Sequence, residues 1–104
     1  MHRGLSSGSW QKLSLAEQLG NIGSEVGRAI KAATKDRQKL AAHRALELFD
    51  LTLADRRWRH RGTELARARE VTADFLLGGN NYKTSGPELE KYFMAFALAA
   101  RQNR

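Results

Sequence analysis

Residues 46–69 read Leu46-Glu47-Leu48-Phe49-Asp50-Leu51-Thr52-Leu53-Ala54-Asp55-Arg56-Arg57-Trp58-Arg59-His60-Arg61-Gly62-Thr63-Glu64-Leu65-Ala66-Arg67-Ala68-Arg69. An apolar helical segment runs through Asp55 straight into a block of arginines. Asp55 fits the end of one helix or the cap of the next, and Gly62 argues against continuous helix through the basic stretch, so a break is expected near residues 54–57. Between Arg56 and Arg69 stand six arginines and one acid, Glu64, a net +5 out of the chain's +7; the other 90 residues carry only +2. A joint between two helices therefore holds most of the net charge, and any polyanion contact is expected there first.

Upstream, Ser14-Leu15-Ala16-Glu17 has the spacing of a capping box, which places a helix start at Leu15. Leu15, Leu19, Ile22, Val26, Ala29 and Ala33, with Ile30 beside them, recur every three or four residues and make one apolar stripe. Gly20, Gly23 and Gly27 fall inside this helix at a cost of about 1 kcal/mol each relative to alanine. Close approach of a neighbouring helix is the expected compensation. Thr34 or Asp36 caps a second helix with Ala42, Ala45, Leu46, Phe49, Thr52 and Leu53 on one side and Leu48 and Leu51 widening the apolar surface.

Downstream, Leu65, Ala68, Val71, Thr72, Phe75 and Leu76 form a third apolar stripe, which ends near Leu77 at Gly78-Gly79-Asn80-Asn81, residues that tolerate positive φ. Its outer arginines, Arg67 and Arg69, have at most one intrahelical acid partner and are expected to stay free for other ligands. Ser85-Gly86-Pro87-Glu88 opens the fourth helix, whose Leu89, Tyr92, Phe93, Phe96, Ala97 and Ala100 make an aromatic-rich face. No strand-like alternation and no repeat is present. The expected fold is all-α: a four-helix bundle of up-down topology, with a flexible tail at residues 1–12 and a single domain at 13–104.

A chain of 104 residues with 41% hydrophobic composition suits one domain. It has no cysteine, which removes disulfides, thiolate zinc sites and thiol catalysis. The apolar runs fall short of the roughly 20 residues that span a bilayer, and the N-terminus has no signal-peptide core, so a cytoplasmic location is expected.

No reaction centre is legible. His2, His43 and His60 are too scattered for a metal site. Glu47 and Asp50 lack the histidine three or four residues away that helical di-metal sites use. No serine sits in a nucleophile elbow, and no glycine-rich phosphate loop follows a strand. The chain reads as non-enzymatic, with no cofactor. Arg56, Arg57, Trp58, Arg59 and Arg61 combine phosphate donors with a ring able to stack on a base, and Arg67 and Arg69 extend the set, as do Arg28 and Lys31 if the helices bring them together. The same segment also reads as a solvated turn with Trp58 packed inward.

Three resemblances bear on function. Arg37 and His43, with five residues between them, resemble the loose arginine-histidine pattern of helical ribonuclease toxins, which implies RNA cleavage by that pair. Ser14 to Val26, Arg44 to Thr52, Lys91-Tyr92-Phe93 and Phe96 to Arg101 resemble a family of small bacterial proteins from uncultured lineages, to which no function attaches. In size, basicity and four-helix pattern the chain is similar, more distantly, to the accessory variability determinant of diversity-generating retroelements, a basic helical bundle. Those proteins form a pentameric barrel that binds the element's reverse transcriptase and RNA. This resemblance implies that Arg56, Arg57, Arg59, Arg61, Arg67 and Arg69 contact RNA or the polymerase, and that the glycine-bearing first helix or the aromatic fourth packs between subunits of a homo-oligomer. The competing expectation is an interaction module whose basic segment meets an acidic protein and whose excess apolar surface serves oligomerisation without nucleic acid.

Overall fold

The computed structural model describes residues 7–102. A single turn, α1 (Ser7–Trp10), is followed by α2 (Leu15–Lys31), α3 (Lys35–Ala54), a 3-10 helix (Arg56–Arg61), α4 (Gly62–Leu76) and α5 (Gly86–Gln102). The four long helices run up and down in alternation, so that α2 is antiparallel to both α3 and α5. No strand occurs among the described residues.

Three of the long helices, α2, α3 and α5, begin where their capping chemistry predicts. The Glu17 N–H donates to Ser14 Oγ at 3.1 Å and the Glu17 carboxylate accepts from the Ser14 N–H at 2.9 Å. Ser85 and Glu88 repeat the arrangement at 3.2 and 3.0 Å. These caps satisfy N–H groups that a helix start otherwise leaves unpaired. Thr34 caps α3 by accepting from the Arg37 N–H. At the far end of α4, Gly78 takes a left-handed φ of 85°. The Asp74 carboxylate then accepts from the N–H groups of Asn81 and Tyr82 and so organises the turn into α5.

The core forms around α2, whose Leu19, Ile22 and Val26 are fully buried. From α3 it takes Ala42, Ala45, Leu48 and Phe49, from α4 Leu65, and from α5 Leu89 and Phe93. Leu48 belongs to the centre of this core, while Leu46 and Leu53 are only half-buried. Phe93 meets Phe49 edge-on, with ring centroids 6.0 Å apart, and Tyr92 stacks edge-on against both Phe93 and Phe96. The glycines of α2 explain how α5 lies so close. A methyl group at Gly23 would collide with the Phe93 Cβ, and one at Gly20 would stand 3.4 Å from the Ala97 backbone. α5 approaches α2 at its Ala97 position, whereas Ala95 faces solvent.

The folded unit begins earlier than residue 13. Of the expected tail, residues 1–6 lie outside the described residues, but Ser7–Trp10 is helical and Trp10 is fully buried against α3. A tryptophan beside a polar, serine-rich stretch has no helical periodicity to reveal its burial; only the cavity formed by α2 and α3 does so.

Candidate nucleic-acid interface

The arginine-rich joint folds as it does because Asp55 turns inward. It ends α3, with its N–H donating to the Thr52 carbonyl, and its carboxylate caps the 3-10 helix by accepting from the Arg57 N–H at 3.1 Å. The same carboxylate receives the Arg57 guanidinium twice, from Nε to Oδ1 at 3.1 Å and from the terminal nitrogen to Oδ2 at 2.7 Å. That nitrogen also donates to the Leu13 carbonyl at 2.7 Å. The Gln18 amide donates to Asp55 Oδ2 at 3.0 Å. Asp55 is only 3% exposed, and burial alone would raise its pKa. The Arg57 hydrogen bonds outweigh that effect, helped by Gln18, and hold it down at about 2. The same side-chain hydrogen bonds, with the carboxylate charge behind them, raise the Arg57 pKa.

Gln18 carries the network into the core. Its side chain is fully buried, its amide nitrogen donates to the Trp10 carbonyl at 2.9 Å, and its oxygen accepts from the Trp58 indole at 2.9 Å. The Trp10 indole donates to Thr52 Oγ1 at 3.0 Å. One glutamine thus ties together α1, α2, the end of α3 and the 3-10 helix, with every polar atom of its side chain used. The predictor of this role in the sequence was a polar residue on the apolar stripe, three after Leu15 and four before Ile22.

The candidate residues therefore separate. Arg57 and Trp58 are part of this network, with the Arg57 guanidinium also 4.4 Å from the centre of the Trp58 ring. Arg61 donates to Glu64 at 2.8 Å, which raises the arginine's pKa and lowers the glutamate's. Arg69 is not left free, as its spacing within α4 suggested: it reaches across to α3 and donates to both oxygens of Asp50, at 2.9 and 3.4 Å. Arg67 lies 4.9 Å over the Tyr82 ring, while the Tyr82 hydroxyl donates to Glu70 at 2.7 Å and has its pKa raised by that bond. Arg56 and Arg59 are exposed, and neither makes an ion pair with another described residue. They are the two arginines of the joint whose charge is wholly available to a ligand.

Arg28 and Lys31 do not join this surface. They lie at the other end of α2, on a groove between α2, α3 and α5 that Arg37, Arg44 and Arg101 also line. From Gln18 to Lys31 is about 20 Å along the helix. Sequence reading missed this second basic surface, although Arg37, Leu40, Ala41 and Arg44 have the spacing of a single helical stripe. Arg37 and His43 are both exposed, but positions six apart on a helix point about 120° away from each other. Arg37 lines the groove and His43 does not. Among the described residues no cluster of histidine and acidic side chains could hold a metal ion, and no helix is long and apolar enough to cross a membrane.

None of the known family models matches the chain, nor does any curated protein or solved structure.

Proposed function

We propose that this protein is a non-enzymatic accessory module that binds nucleic acid through the outer face of its α3–α4 joint. The observation that supports the reading is the sorting of charge at that joint. Asp55, the acid that begins the basic segment, is buried and neutralised by Arg57, whereas Arg56 and Arg59 face solvent without an acid partner. Exposed arginines suit phosphate because the guanidinium is always charged and donates in a planar fork. Arg61 and Arg67 are secondary contacts, since each is already engaged by a neighbour.

RNA, and the reverse transcriptase implied by the distant resemblance, are the finer form of this reading, as is assembly of several copies. A second reading has its own support: Leu40, Leu77, Met94 and Leu98 are large apolar side chains at least 47% exposed, as an interaction module without nucleic acid would require.

Binding of a labelled single-stranded RNA across a salt series separates the two. Nucleic-acid binding predicts affinity that falls steeply with salt as counterions are released, and loss of that affinity in Arg56→Glu/Arg59→Glu. Binding that ignores this double variant, or no binding at low salt, rejects the joint as the interface.

A further inference from the structure

The groove lined by α2, α3 and α5 has a chemistry of its own. It is open, with a volume of about 940 Å³, and its floor is the glycine-bearing face of α2 between a wall from α3 and a wall from α5. Leu40 on one wall is 51% exposed and Met94 on the other is 54% exposed. Around them stand Arg37 and Arg44 on α3 and Arg101 on α5, none in an ion pair with another described residue. Arg28 and Lys31 add to the same rim, against a single lining acid, Glu90, which is already 3.9 Å from Lys31.

We propose that this groove receives an acidic amphipathic helix of a partner protein. The apolar stripe of such a helix would rest on Leu40 and Met94, and its flanking carboxylates would meet Arg37 and Arg44 on one side and Arg101 on the other. Between Gly20 and Lys31 the floor measures about 16 Å, the length of three helical turns. An apolar stripe repeating every three or four residues is how a helix seats in a groove of this form.

Two other occupants fit less well. A second copy of the chain brings another net charge of +7 to a surface that is already positive. A nucleic acid strand would meet the arginines but leave the apolar Leu40 and Met94 without an apolar partner, and the groove's one aromatic, Phe93, is 3% exposed and offers no face for stacking. Gly27 supplies an independent probe. A Cβ added there would meet only the Glu90 carboxylate, at 3.8 Å, so a larger side chain obstructs the floor without touching the core.

The test uses the full chain and a fluorescein-labelled, end-capped peptide of roughly 14 residues, with leucines at i, i+3, i+4 and i+7 and glutamates elsewhere, read by anisotropy. A peptide of the same composition in scrambled order is the control. The expected result is saturable binding of the patterned peptide, with at least about tenfold weaker binding by the scrambled one and by Arg37→Glu/Arg44→Glu. Gly27→Leu, checked by its melting curve, should weaken binding similarly, and Arg56→Glu/Arg59→Glu should leave it unchanged. No binding, or equal binding of both peptides, overturns the proposal. So does displacement of the peptide by an RNA oligonucleotide that needs Arg37 and Arg44, which assigns the groove to nucleic acid. Self-association in sedimentation that Gly27→Leu abolishes overturns it in favour of a second copy.

Discussion

The Asp55 carboxylate and the Arg57 guanidinium form a two-pronged contact, at 3.1 and 2.7 Å, across the two-residue step from α3 into the 3-10 helix. The most basic segment of the chain is thereby pinned to the core by its own acid. The substitution Asp55→Asn keeps the shape of that side chain and removes its charge. It is expected to destabilise the fold by about 2 kcal/mol, with loss of the charge-assisted bonds to Arg57 as the main cause. Urea unfolding at neutral pH measures it, and an unchanged midpoint would show the contact to be energetically idle.

The same pair sets a pH dependence. The Asp55 pKa is lowered in the fold to about 2, from an ordinary carboxyl value of 3.8. Because the folded value is the lower one, its contribution is complete above about pH 4 and disappears as pH falls through about 2. The native protein should therefore lose stability over this window more steeply than Asp55→Asn does, and thermal melts at a series of pH values compare the two.

Burial of Trp10 predicts that a truncation beginning at Leu13 fails. Trp10→Ala should cost about 3–5 kcal/mol through the cavity it opens and the unpaired Thr52 hydroxyl it leaves. Trp10→Phe, which mainly removes the indole donor, should cost less, about 1–2 kcal/mol. Denaturant titration of the two variants orders them.

Gly23 and Gly27, four residues apart on α2, should respond to alanine with opposite signs. At Gly27 there is room, and the gain in helix propensity is expected to stabilise by up to about 1 kcal/mol. At Gly23 the new methyl meets Phe93, and overpacking should destabilise by about 1–3 kcal/mol. Melting temperatures of the two single variants decide it.

At the joint, Arg56→Ala and Arg59→Ala should each reduce the salt slope of RNA binding by about 1. Neither should alter the melting temperature, since neither side chain pairs within the described residues. Arg57→Ala is expected to do the reverse, lowering stability through the loss of its Asp55 contact.

Local chemistry was enough to read the starts of α2, α3 and α5 and the end of α4. Ser14 with Glu17 and Ser85 with Glu88 cap by contacts three residues apart, and Gly78 needs only its own left-handed φ. The apolar stripes carry their own period, and the α2 glycines already implied a close neighbour. These features depend on residues within a turn or two of each other, so they are visible in one dimension.

By itself, then, the sequence determined an all-α chain, the starts of α2, α3 and α5, the end of α4, and a positive joint between the second and third long helices. Tertiary structure alone decided which charges that joint presents. Arg57 and Trp58 turn to Asp55 and Gln18, Arg69 crosses to Asp50, and Arg56 and Arg59 remain outside. It also decided that Arg37, Arg44 and Arg101, distant along the chain, share one groove. The physical reason is that a helical period tells which way a side chain leaves its own axis, while pairing and exposure depend on the neighbouring helix, whose placement follows from packing of the whole core.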